Sequence, residues 1–182
     1  MTQSSQPTLE TPRLILRPFT ESDGPAVERL AGAREVAETT LTIPHPYPPG
    51  GAAMWIATHP PAWEVGTTAT FAMVDRATNE LVGCIGADIR KEDERAEIGY
   101  WVGMPFWNRG YCTEAAQAVV NFLFDSLGMN RVQARYLTRN VASGRVMQKI
   151  GMRHEGVHRQ AVKKWGRFED IGVYAILAED RK

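Results

Sequence analysis

Ala96 to Leu127 constrains the fold more than any other stretch. Glu97-Ile98-Gly99-Tyr100-Trp101-Val102 reads as a strand, Asn108-Arg109-Gly110 as a turn, and Gly110 to Leu127 as a long helix. That helix is apolar on several sides, so it must be largely buried, which demands a sheet to lie on. A turn opening a helix aims unpaired N–H groups at one spot, and the helix dipole adds positive potential there. Such a place suits a phosphate or pyrophosphate. Gly110 would let backbone approach the anion, and Arg109 adds a fixed charge. The plainer alternative is that Gly110 only shapes a turn and Arg109 is solvated. The spacing is neither a P-loop nor a Rossmann fingerprint.

The flanking chain supplies the rest of a mixed α/β (α+β) domain. Residues 1–10 are polar and aperiodic, a flexible N-terminal tail, and 11–182 form one domain. Arg13–Pro18 is a short strand, and Thr20 or Ser22 caps a helix with Pro25 in its first turn. Ile43 to Gly51 holds four of the eleven prolines and must be a loop. A helix over Ala52–Ile56 is broken by Pro60-Pro61. Thr70–Val74 and Leu81–Ile89 flank a turn as a hairpin, and Ala96–Val102 follows. After the long helix, Gly128 is a stop signal. Val132–Leu137 is then a strand, Val141–Ile150 a helix, and Met152–Gly156 and Asp170–Leu177 close the sheet.

Composition narrows the function classes. Lys plus Arg is 21 and Asp plus Glu is 21, and this zero net charge argues against generic nucleic-acid binding. Two cysteines, Cys84 and Cys112, cannot build a disulfide framework or a four-ligand zinc site. His154 and His158 are four apart on a strand-rich segment and share no helix face, so no metal site is expected. With neither a signal-peptide pattern nor an apolar run long enough to span a bilayer, the reading is cytoplasmic, with no membrane partner.

The run AEIGYWVGMPFWNRGYCTEA (96–115) closely resembles the acetyl-CoA-binding motif of the GNAT acetyltransferase superfamily. TPRLILRPFTESD, RNVASGRVMQKIGM and FEDIGVYAILAED resemble its RimJ/RimL branch, named for ribosomal-protein N-terminal acetyltransferases. The resemblance implies a mostly antiparallel sheet flanked by helices, whose central strands, holding Tyr100–Val102 and Val132–Leu137, splay apart. It implies acetyl-CoA as cosubstrate, with pantetheine held along Trp101 and Val102. The pyrophosphate would be cradled by Asn108, Arg109, Gly110, Tyr111, Cys112 and Thr113. Asn140 would contact coenzyme A, and Ser143 would lie near its sulfur. The sequence departs from the superfamily signature at Trp107, common in this branch, and at Cys112, where glycine or alanine is usual.

Acetyl transfer to an amine needs a neutral amine, an oxyanion donor and a proton for the thiolate. At pH 7 about 0.04% of a lysine amine is neutral, against roughly 14% of an α-amine. Glu97 is the candidate base; its structural alternatives are a carboxylate paired beside Arg95 or a solvent-facing strand residue. Glu114 complements the helix dipole. Asn140 and Ser143 also fit helix capping. Ser143 is the candidate acid, because no tyrosine lies between Arg139 and Gly151, and Tyr136 reads as packing. Cys112 lacks a Cys–His–acid set, which argues against a nucleophile.

Arg145 to Glu169 carries a net +5, suited to a 3′-phosphate, an acidic substrate or RNA, or simply a solvated face. His45, Tyr47, Trp55 and Trp63 could line an acceptor pocket or sit in the core. The expected activity is N-acetylation of a small-molecule amine or of a protein or peptide N-terminus, by a monomer or homodimer. The rivals are a non-catalytic acyl-CoA-binding module and an RNA-associated protein.

Overall fold

The computed structural model describes residues 5–181. Residues 1–4 of the expected tail lie outside it. The end of that tail is ordered: Leu9–Glu10 forms a short strand, β1, and Gln6 Nε2 donates to the Thr70 carbonyl at 2.8 Å. β2 (Leu14–Arg17) pairs back onto it, Leu9 opposite Leu16. α1 (Gly24–Ala31) carries Pro25 in its first turn, and a short α2 (Arg34–Ala37) follows. α3 (Gly51–Ala57) ends before the Pro60-Pro61 pair, but the prolines do more than break it. They occupy the first turn of α4 (His59–Glu64), where a missing N–H costs nothing.

β3 (Thr68–Asp75) and β4 (Leu81–Arg90) form the antiparallel hairpin the sequence predicts, and β5 (Arg95–Val102) extends it as a meander. α5 (Tyr111–Asp125) follows the Gly110 turn, then β6 (Arg131–Leu137) and α6 (Val141–Lys149). β7 (Arg153–Lys164) and β8 (Arg167–Leu177) make a hairpin much longer than the sequence suggests. The reason is polarity: β7 is exposed along nearly all its length, so no period-2 apolar signal marks it. Trp165 and Gly166, both left-handed, close it as a two-residue turn.

The eight strands run in the order β1-β2-β3-β4-β5-β6-β8-β7. All neighbours are antiparallel except β5 and β6. That parallel pairing covers four rungs, Arg95–Arg131 to Ile98–Ala134, and then stops. β5 stays paired with β4 out to Val102, and β6 with β8 out to Leu137. The two halves of the sheet therefore diverge beyond Ile98, as the resemblance implies. One face packs on α5 and α6 through Phe71, Ile85, Ile98, Ala115, Val119 and Leu123. The other face packs Ala72, Cys84 and Trp101 against α1 through Val27 and Leu30.

Candidate active site

A cavity of about 1030 Å³ follows the divergence of β5 and β6. It is lined by the start of α5, by Gly99–Val102 on β5 and by Asn140, Ser143, Arg145 and Lys149 of α6. On the other side it meets the loop Thr39–Pro44, Tyr47 and Trp55. Because Tyr100 belongs to the α5 face and Trp101 to the α1 face, the cavity reaches both faces through the gap.

The turn before α5 has the geometry of an anion cradle. Asn108 and Gly110 both take left-handed backbone, φ 61° and 79°, so a side chain at position 110 is strained. Two residues lock this turn from outside. Arg13 donates from Nη1 to the Arg109 carbonyl (2.8 Å) and from Nε to Glu114 Oε2 (2.7 Å). Thr11 Oγ1 and the Arg13 backbone N–H bind Glu114 Oε1 at 2.6 and 2.8 Å. Burial pushes the Glu114 carboxyl up, but these hydrogen bonds outweigh it and leave it below its ordinary value. Arg109, which sequence reading gave to the anion, lies over the Phe106 ring at 5.6 Å. Tyr111 donates its hydroxyl to Asp75, which fixes the first helical residue to the β3 end.

Burial pushes the Cys112 thiol up to about 12, the opposite of a nucleophile's need. Trp107 Nε1 donates to the Val102 carbonyl at 2.7 Å, so that acceptor at the strand end is already engaged.

Asn140 caps α6, its Oδ1 accepting from the Ser143 N–H at 3.3 Å, while its Nδ2 donates to the Thr39 carbonyl at 3.3 Å. The capping reading is therefore true of Asn140, and Asn140 also ties α6 to the cavity loop. Ser143 Oγ lies 3.2 Å from the hydroxyl of Tyr100, which donates to the Ser143 carbonyl at 3.1 Å. Sequence reading sought a tyrosine along α6 and missed Tyr100, which arrives from β5. Burial, first, pushes its phenol well above the usual tyrosine range. Tyr136 packs over Gly172 and Gly144, as expected of a packing residue.

Glu97 lines the cavity, but not as a free carboxylate. Its Oε1 accepts from Arg135 Nε at 2.6 Å and its Oε2 from Gln133 Nε2 at 2.7 Å. The pairing partner is thus Arg135 on β6, not the adjacent Arg95, which bonds Asp93 instead. Asp88, directly opposite Glu97 on β4, also lines the cavity and was not legible as a site residue.

Of the aromatic candidates, Tyr47 and Trp55 line the cavity, whereas Trp63 is buried in the core beside Phe122. His45 Nδ1 lies 2.9 Å from the Gly32 carbonyl. The basic segment divides likewise. Arg145 and Lys149 line the cavity, while Arg153 pairs with Asp180. Among the described residues, no three His, Cys, Asp or Glu side chains gather as metal ligands, and no helix is long and apolar enough to cross a membrane.

Residues 13–153 match the acetyltransferase (GNAT) domain family. The chain belongs to the GNAT acetyltransferases. The uncharacterized N-acetyltransferase YoaA of Bacillus subtilis is 33% identical over 177 residues, covering 94% of this chain and 97% of that protein. The [ribosomal protein uS5]-alanine N-acetyltransferase of Escherichia coli is 22% identical over 117 residues, 63% of this chain and 60% of its own length. Mycobacterium smegmatis RimJ, solved in complex with CoA-disulfide, shares the fold with a TM-score of 0.86 at 22% identity, covering 100% of this chain and 92% of that one. This GNAT protein is an acetyl-CoA-dependent N-acetyltransferase. The cavity fits that donor: a helix N-terminus beside a left-handed glycine for the phosphates, and an open strand edge for an extended amide-bearing arm.

Proposed function

We propose that this enzyme acetylates the α-amine of a peptide or protein N-terminus. The observation that carries the reading is a single cavity joining the α5 N-terminus on one face to a carboxylate row, Asp88 and Glu97, on the other. Donor and acceptor can then enter from opposite faces and meet at the gap. An α-amine is the acceptor that needs least help, since roughly 14% of it is neutral at pH 7. The activity carried in the name of the Escherichia coli relative, on an alanine of ribosomal protein uS5, supports the same class.

In this reading the N–H groups of Arg109 to Thr113 hold the pyrophosphate, and Asn108 keeps the turn left-handed. The β5 edge at Trp101 and Val102 lies along pantetheine. Asn140 sets the α6 terminus against coenzyme A, and Arg145 and Lys149 attract its 3′-phosphate. Ser143, with Tyr100 behind it, returns a proton to the departing thiolate. One acidic side chain of the β4–β5 row takes the proton from the acceptor amine.

Acetyl-CoA should raise the melting temperature of the wild-type protein, because a ligand that binds only the native state stabilises it by mass action. Gly110→Asp adds bulk, a strained left-handed side chain and a negative charge at the cradle, and should abolish that shift. A folded Gly110→Asp protein with an unchanged shift would rule out this seat. Thiol release with alanine- and serine-initiated peptide amides tests the acceptor. Release with spermidine but with neither peptide would overturn the N-terminal reading.

A further inference from the structure

We propose that Asp88, rather than Glu97, is the residue that takes the proton from the acceptor amine. This rests on the cavity being the acetyl-transfer site and deepens that reading on its acceptor side. Both oxygens of Glu97 already accept strong hydrogen bonds, from Arg135 and Gln133. To bind a proton Glu97 would have to surrender one of them. The Asp88 side chain makes no hydrogen bond or ion pair among the described residues, and it lines the same cavity.

Register places it for the task. Asp88 is the direct cross-strand partner of Glu97, which puts their Cβ atoms about 4.5–5.5 Å apart. Two rungs nearer the gap, on the same face, are Gly86 and its partner Gly99. Neither glycine has left-handed backbone, and a Cβ at Gly99 would meet nothing within 4 Å. The floor between Asp88 and the gap is bare, so an amine can lie over it.

The charged groups facing Asp88 are Glu97 from β5, Arg135 from β6 and Arg90 from its own strand; its β3 partner is the neutral Thr68. Asp88 is exposed along the cavity, yet the surrounding protein, and then the like charge of Glu97, raises its carboxyl above the usual value despite the two arginines. A raised carboxyl is a better proton acceptor near neutrality. Glu97 becomes a positioning residue, holding Arg135 aside and keeping Asp88 basic.

The protons balance. The incoming ammonium gives one proton to the Asp88 carboxylate and becomes neutral. Its nitrogen forms a bond to the acetyl carbon as the carbon–sulfur bond breaks. The second nitrogen proton passes to the thiolate by way of the Ser143 hydroxyl. The products are the amide and a thiol, and Asp88 returns its proton to water.

The test compares wild type, Asp88→Asn and Glu97→Gln for thiol release with an alanine-initiated peptide amide and with spermidine, from pH 6 to 9. Without its base the enzyme depends on amine that is already neutral. Asp88→Asn should therefore lose about 7-fold in kcat/KM on the peptide at pH 7. The loss on spermidine, if its amines titrate like lysine, should approach about 10³-fold. Both losses should shrink as pH rises, while the acetyl-CoA melting shift stays at its wild-type size. Glu97→Gln should retain turnover and move the acid limb to lower pH, because removing its charge makes Asp88 easier to ionise. An Asp88→Asn protein that keeps the wild-type rate and profile on whichever amine is turned over overturns the assignment. So does loss of turnover confined to Glu97→Gln. An acetyl-CoA shift absent from wild type would instead count against the donor seat.

Discussion

Both ring nitrogens of His59 are buried without a hydrogen-bond partner, and the ring is wedged edge-on between Phe19 and Trp55 at 5.5 and 4.4 Å. Burial pushes its pKa down from 6.5 to about 4, so the folded protein holds it neutral. Between those two values the unfolded chain binds more protons than the folded one, and stability must fall as pH drops through that window. His59→Phe removes two unsatisfied polar atoms and the titration together. It should raise the urea midpoint, and by more at pH 5 than at pH 7.5; an equal gain at both would mean the folded and unfolded chains protonate His59 alike. Residue chemistry of this sort is only partly written in the sequence. Gly110 and Asn140 were legible because a helix start demands such residues locally. Asp88 and Tyr100 were not, because their roles come from the strands and helix set beside them, which no local pattern reports.

α6 shows how an element can carry two duties at its first turn. Asn140 closes the helix cap and reaches the Thr39 carbonyl, whereas Ser143 meets Tyr100. Asn140→Ala should cost about 1 kcal/mol of stability and weaken acetyl-CoA binding first. Ser143→Ala should lower kcat at nearly unchanged affinity, at the low end of the roughly 10²–10⁴-fold general-acid range, since a thiolate with pKa near 8.5 leaves tolerably by itself. Melting curves for both variants separate a lost cap from a lost proton, and wild-type turnover by Ser143→Ala would reduce it to a structural residue. Elements marked by apolar runs, such as the largely buried α5 and the β3–β4 hairpin about its polar turn, were readable in advance. α2 was not, being four residues long, and neither was the full length of β7, whose side chains face water on both sides.

At the scale of the molecule, the beginning of the chain is fastened to its middle. Thr11 and Arg13 grip Glu114 and the Arg109 carbonyl, about a hundred residues away, so the turn before α5 is braced by the segment that leads into β2. The Arg13 side chain is half exposed, which limits the ion pair's worth to about 1 kcal/mol. Arg13→Ala should therefore lower the melting temperature by only about 2–4 °C. It should also shrink the acetyl-CoA shift, because the turn loses its outer brace. An undiminished shift would show the turn to be self-supporting. The fold class and the turn opening α5 could be read from sequence because the motif is contiguous, while the clasp spans residues that no window brings together.

The parallel pairing of β5 and β6 ends after four rungs, and this has a consequence for what can pair with the sheet there. An unpaired strand border is ordinarily an invitation to aggregation, since any passing chain can extend the ladder. Here that border lines the cavity, with α5 and α6 packed beside it. A slender arm with amides of its own can thread in and complete the missing rungs, whereas a second folded protein is too broad to enter. The same break that opens the sheet also screens what is allowed to mend it.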